Sequence, residues 1–164
     1  MKKRILPLLL LILILTGCAA HASAEYHGAL FDATLPDGFR PVDNSNILCF
    51  APYGDPVHSS SITFYTTESN WYFDRFTADD YKQALKDAGY EIISLDDVKS
   101  CRIEGFDAHR ISCQIEIDQS THTLIVYTVS ADRTYFFTLL NRNGDAYVQK
   151  FDDMMRTIRL KGAK

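Results

Sequence analysis

The chain has 164 residues and a formal charge of −4, with 17 Lys and Arg against 21 Asp and Glu. That balance argues against nucleic acid and against an anionic lipid surface as partners, because both are held by excess positive charge. The length suits one domain with one core and is short for two.

Met1-Lys2-Lys3-Arg4 precedes eleven residues, Ile5 to Leu15, that are mostly Leu and Ile. A basic start, a short apolar run and small residues before a cleavage point describe a secretory signal. The run is interrupted by Pro7 and is well short of the about 20 residues that cross a bilayer as a helix. Leu15-Thr16-Gly17-Cys18 resembles the lipobox of bacterial lipoproteins. In that family the cysteine thiol receives a diacylglyceryl group and a peptidase cuts before it. The resemblance implies that 1–17 is a removed signal peptide, that Cys18 becomes the lipidated, palmitate-bearing terminus, and that 18–25 is a short tether. The implied location is extracytoplasmic, at a Gram-positive plasma membrane or a Gram-negative envelope, where Ala19 points to the outer membrane. Lys2, Lys3 and Arg4 leave with the signal, so 14 basic residues face 21 acidic ones, a charge of −7. Lipid on Cys18, rather than the domain surface, then makes the membrane contact.

Cys49, Cys101 and Cys113 remain. They form no C-x-x-C pair and no zinc-type spacing, which gives a thiol redox site or a structural metal no support. Cys113 lies among Ile111, Ile115 and Ile117, and Cys101 shares a face with Ile103 on the preceding strand. Two readings stay open: buried thiols acting as small hydrophobes, or a cross-strand Cys101–Cys113 disulfide, which requires close Cβ approach.

In chain order, 26–35 is a strand candidate running into the turn Pro36-Asp37-Gly38-Phe39. Segments 47–51 and 60–67 read as a hairpin joined by a turn-rich connection. Thr77-Ala78-Asp79-Asp80 has the form of a capping box, and Tyr81, Ala84, Leu85 and Ala88 repeat at helical spacing until Gly89. A short strand at 91–94, a loop at Asp96-Asp97, and strands at 98–104 and 107–118 around a Gly105-Phe106 turn come next. Segments 121–130 and 134–140 form a further hairpin, and the unbroken apolar run Leu124 to Tyr127 predicts a strand covered on both sides. Asp145 can cap a closing helix with the apolar stripe Tyr147, Phe151, Met154, Met155 and Ile158.

This order predicts a single α+β domain over 26–160, an antiparallel sheet of about six strands with two amphipathic helices. Leu35-Pro36-Asp37-Gly38-Phe39, the helix after the second hairpin, Ile103-Glu104-Gly105-Phe106-Asp107-Ala108 and the closing helix together resemble the PsbP-like superfamily. The resemblance implies an αβα sandwich and non-catalytic docking to other proteins.

Catalytic patterns are missing: there is no G-x-S-x-G, H-E-x-x-H, P-loop or G-x-G-x-x-G. Asp79-Asp80 and Asp152-Asp153 are neighbours that point apart on a helix, so a capping turn and a solvated face explain them. The histidines at 21, 27, 58, 109 and 122 are scattered, and a turn at 118–120 would bring His122 near Glu116 as a surface pair. Trp71, Tyr72, Phe73 and Phe76 beside Arg75 have the composition of a binding hot spot. Alternatively they cover the sheet edge and staple the start of the helix at Thr77. The function expected is binding of a protein or small ligand by a tethered lipoprotein, without catalysis, cofactor or metal. The alternative is a hydrolase whose site is assembled from residues distant in sequence.

Overall fold

The computed structural model describes residues 23–43, 47–53, 55–57, 59–68, 76–144 and 146–163. Cys18, Trp71, Tyr72, Phe73, Arg75, Asp145, His21 and His58 lie outside the described residues. Seven strands form one antiparallel sheet in the order β3-β4-β5-β9-β8-β7-β6. They are β3 (Phe39–Pro41), β4 (Leu48–Pro52), β5 (Ser61–Thr67), β6 (Glu91–Ile103), β7 (Phe106–Ile117), β8 (Ser120–Ser130) and β9 (Thr134–Asn141). Helix α1 (Ala78–Asp87) lies between β5 and β6 in the chain, and α2 (Val148–Thr157) follows β9. Three short strands, β1 (Glu25–His27), β2 (Phe31–Thr34) and β10 (Arg159–Leu160), make a second sheet in the order β1-β2-β10. The α+β class and the antiparallel sheet agree with the sequence reading, and the main sheet is one strand larger than expected.

Because side chains alternate across a sheet, the central strands feed two cores. Ile125, Tyr127, Val129, Tyr135, Phe137 and Leu139 face one side, where they meet Phe151, Met154, Met155 and Ile158 from α2 and Phe31 and Ala33 from β2. Ile111, Cys113, Ile115, Leu124 and Val126 face the other side and meet Tyr81 and Leu85 of α1. The helices therefore cover opposite faces. The apolar run in β8 is buried on both, as its composition predicts.

The ends of α1 follow local chemistry. Thr77 Oγ1 accepts from the Asp80 backbone N–H at 3.3 Å, and Asp80 accepts from the Thr77 N–H at 2.7 Å. Phe76, immediately before this cap, packs on Tyr81 with ring centroids 5.4 Å apart, a hydrophobic staple. At the other end Gly89, at φ +90°, allows the Tyr90 N–H to bond Leu85 O and its own N–H to bond Lys86 O. This paired arrangement closes the helix at the glycine.

Several expectations are corrected. Segment 26–35 is a hairpin, β1 with β2, outside the main sheet. It breaks at Gly28, where an added Cβ would lie 2.4 Å from the Tyr26 hydroxyl. The Asp96-Asp97 loop is continuous strand: β6 absorbs both acids through register shifts between Ile92 and Ser94 and between Leu95 and Asp97. As an edge strand, it tolerates such bulges and charges. The β6–β7 turn is Glu104-Gly105, and the β7–β8 turn is Asp118-Gln119, each with two positive φ angles. The second turn puts His122 opposite Ile115 and Glu116 opposite Thr121, so the expected His122–Glu116 pair is split between faces. Helix α2 starts after Tyr147, which makes no side-chain cap bond.

The Cys101–Cys113 disulfide is also overturned. Cys101 pairs with Ala108 and Cys113 with Leu95, five positions further along β7. That is about 17 Å of strand, and the odd separation puts the two thiols on opposite faces. Cys49, Cys101 and Cys113 are all free thiols.

Candidate functional site

Among the described residues, α1 is the element that packs on this face of the main sheet. A helix is about 10 Å across, whereas seven strands at about 4.8 Å spacing extend roughly 30 Å. Helix α1 docks over the β6–β8 side; beside it Tyr65 of β5 is 46% exposed, while Phe136 and Thr138 of β9 are buried. There a cleft of about 270 Å³ lies between α1 and the sheet. Ala84, Leu85 and Ala88 form its helical wall, and Ile111 and Val126 its floor.

The far wall is aromatic and hydroxylated. Tyr65 and Phe136 are cross-strand partners whose rings stack at 4.4 Å and 5°. Thr63 and Thr138 form the next pair on the same face. Tyr65 is 46% exposed and Ile47, which also lines the cleft, 52% exposed. Tyr81 and Tyr90 also line the cleft. Burial pushes the Tyr81 phenol up to about 12 and raises those of Tyr65 and Tyr90, so all three are neutral hydroxyls at neutral pH. An apolar enclosure with a few placed hydroxyls is the ordinary make-up of a small-molecule site.

At one end the hydroxyls continue into a polar chain. Tyr81 Oη lies 2.7 Å from His109 Nδ1, and His109 Nε2 lies 3.2 Å from Ser100 Oγ. Thr128 Oγ1, on the cleft wall, is 3.5 Å from Tyr81 Oη. His109 and Ser100 are brought together by direct pairing of β6 with β7. Burial holds the imidazole below the ordinary histidine value, partly offset by Asp107. The neutral ring thus links the Tyr81 phenol to the Ser100 hydroxyl, donating at one nitrogen and accepting at the other.

On the opposite face Arg110 and Asp152 form a second polar group. Arg110 Nε and Nη2 donate to the two Asp152 oxygens at 2.9 and 3.2 Å, and Tyr127 Oη donates to Oδ1 at 2.9 Å. Asp152 thus faces the sheet, whereas Asp153 points out to Arg156 and Gln149. The expectation that both acids lie on a solvated face holds only for Asp153.

Of the sequence-predicted binding residues, Phe76 is half-buried against Tyr81 and serves the stapling alternative. Trp71, Tyr72, Phe73 and Arg75 fall outside the described residues. Among the described residues the structure brings together Tyr65, Tyr81, Phe136 and His109, none of which the sequence alone offers as a binding residue. One signal was available: Thr63 and Tyr65 alternate with the buried Ile62 and Phe64, and Phe136 and Thr138 with Phe137 and Leu139. That second face is aromatic and hydroxylated where full coverage by a helix would favour aliphatic side chains.

No family model matches the chain, and no curated protein matches it in sequence. Solved structures do match in shape. The cyanobacterial PsbP (CyanoP) of Synechocystis sp. PCC 6803 superposes with a TM-score of 0.62 at 14% identity, over 88% of this chain and 95% of that one. LpqN of Mycobacterium tuberculosis, described as involved in cell envelope biogenesis, gives 0.57 at 12% identity, covering 87% of each chain. A Bacteroides thetaiotaomicron protein gives 0.56 at 10% identity over 86% of this chain, which spans about half (49%) of that protein's length. At these identities the likeness is one of fold: two helices on a mostly antiparallel sheet, an α+β domain of the kind found in CyanoP.

Proposed function

We propose that this chain is an extracytoplasmic lipoprotein, tethered through Cys18, whose domain binds a small, largely apolar ligand without chemistry. The observation that carries the binding reading is the cleft beside α1, with its stacked Tyr65–Phe136 wall and its hydroxyls at Tyr81, Thr128 and Thr138. A compact ring bearing one hydrogen-bonding group fits this chemistry: apolar on its faces, polar towards Tyr81. The tethered location is supported by the lipobox-like stretch and by the fold shared with a protein of cell envelope biogenesis. No helix among the described residues is long and apolar enough to cross a membrane.

A thermal-shift panel of small aromatics on native protein and Ala84→Phe tests the cleft. Ligands that stabilise the native chain and leave the filled variant unmoved support it; equal shifts in both contradict it. For the tether, Cys18→Ser is expected to abolish lipid labelling and accumulate precursor, and unchanged processing overturns that part.

The Ser100–His109–Tyr81 chain favours a second reading, a serine hydrolase. The 3.2 Å contact between Ser100 and His109 is within reach of a nucleophile–base pair. Against it, His109 Nδ1 meets the neutral Tyr81 phenol, where a serine hydrolase places a carboxylate to orient the imidazole and stabilise its charged form. Labelling of Ser100 by a fluorophosphonate would reinstate the hydrolase.

A further inference from the structure

The opposite face of the sheet holds a cavity of about 440 Å³ between α2 and the ends of β6 and β7. Lys99, Arg110 and Arg156 face it against one carboxylate, Asp152; Arg102 also borders it, but strand alternation turns its side chain towards Asp107 on the other face of the sheet. In a chain with an excess of acids, this local surplus runs against the overall balance. Lys99 and Arg110 are also direct cross-strand partners, so they share one face of the sheet. Like charges in that relation repel, and Asp152 neutralises only Arg110. The other cations have partners that do not line the cavity: Asp97 for Lys99 at 2.6 Å, Asp107 for Arg102 at 3.4 Å, and Asp153 for Arg156 at 2.8 Å. All three cationic side chains of these pairs are at least two-thirds exposed, and such pairs are weak and easily exchanged.

We infer that this cavity is a binding site for a phosphate monoester, with Arg110 as its fixed floor and Lys99 and Arg156 as its adaptable sides. The Arg110 guanidinium is held in place by the two bonds to Asp152, which use Nε and Nη2 and leave Nη1 to point elsewhere. A tetrahedral dianion suits this wall better than a carboxylate. It presents acceptors in several directions to donors arriving from β6, β7 and α2, and its two charges can replace Asp97 and Asp153 as partners of Lys99 and Arg156. The phosphate can belong to a free small molecule or to a phospholipid headgroup. The site is separated from the apolar cleft by the thickness of the sheet and does not depend on the reading proposed for that cleft.

Calorimetric titration of the full-length protein with sn-glycerol 3-phosphate, and flotation with phosphatidylcholine vesicles with and without phosphatidic acid, provide the two arms. Lys99→Met and Arg156→Met remove exposed side chains and leave the fold intact; Lys86→Met, exposed at the end of α1, is the control. Saturable binding weakened about tenfold by each of the first two and unchanged by the third is expected, one charge-assisted bond being lost in each. Binding of the soluble ester identifies a small-molecule source, and binding only of phosphatidic acid identifies a headgroup. Absence of binding in both arms at millimolar phosphate, or equal binding by native protein and both cavity variants, overturns the site.

Discussion

Arg110 on β7 and Asp152 on α2 meet in a two-point ion pair, at 2.9 and 3.2 Å, that fastens the closing helix to the sheet. Their side chains are 17% and 21% exposed, so the pair is mostly withdrawn from water. Tyr127, cross-strand partner of Arg110, adds its hydroxyl to the same carboxylate. Burial and the Asp152 carboxylate together raise the Tyr127 phenol well above its usual range. Removing one partner leaves a desolvated charge, which costs more than the intact pair contributes. Asp152→Ala is therefore expected to lose roughly 2–3 kcal/mol in urea unfolding. Arg110→Met combined with Asp152→Leu should recover most of that, and a stable single variant would contradict the account.

The β7–β8 turn stores strain. Asp118 and Gln119 sit at φ +52° and +62°, where a residue with a Cβ costs roughly 1–2 kcal/mol relative to glycine. Gln119→Gly should raise the melting temperature, since Asp-Gly suits a two-residue hairpin turn. A lower melting temperature would show that the turn geometry is wrong.

The thiols should behave as three separate groups. Cys113 is fully buried and Cys49 nearly so, while Cys101 is half-buried. Burial pushes the Cys113 thiol up to about 12, with a smaller contribution from Asp96, so it is protonated and inert at neutral pH. Alkylation of native protein is expected to reach Cys101 first and Cys113 only after unfolding. Mass spectrometry that finds Cys101 joined to Cys113 would require a different register between β6 and β7.

His109 sets a pH dependence whose sign is fixed by burial. Its folded value is depressed, while in the unfolded chain it titrates near about 6.5. Between those two values the unfolded state binds more protons, so stability falls as pH drops through about 6.5 and the loss stops growing below the folded value. Urea midpoints of native protein and His109→Gln at about pH 7.5 and about pH 5 measure this. The native chain should lose more stability than the variant over that interval; equal losses would remove His109 as a neutral, Tyr81-bonded group.

The parts of the fold legible in sequence were those that local chemistry determines. Thr77, Asp80 and Gly89 bound α1 as their residue types require, and Phe151, Met154, Met155 and Ile158 form the stripe that packs α2. Leu124 to Tyr127 declared a strand buried on both faces. Register was less legible, because a two-residue turn at Asp118-Gln119 and bulges in β6 decide it, and each shifts side chains between faces. The candidate site was hidden for a related reason. Tyr81, His109 and Ser100 come from three elements and converge only once α1 has docked and β6 has paired with β7. Asp152 was obscured by its neighbour: the pair reads as one acidic surface until the stripe of α2 shows that Asp152 borders Met155.

The cleft beside α1 is the centre of the account, and amide chemical shifts of 15N-labelled protein titrated with indole test it most directly. Saturable shifts confined to Tyr65, Tyr81, Ala84, Thr128 and Phe136, and lost in Ala84→Phe, are predicted. Shifts elsewhere that persist in Ala84→Phe, or none in the cleft at saturating indole, would contradict it.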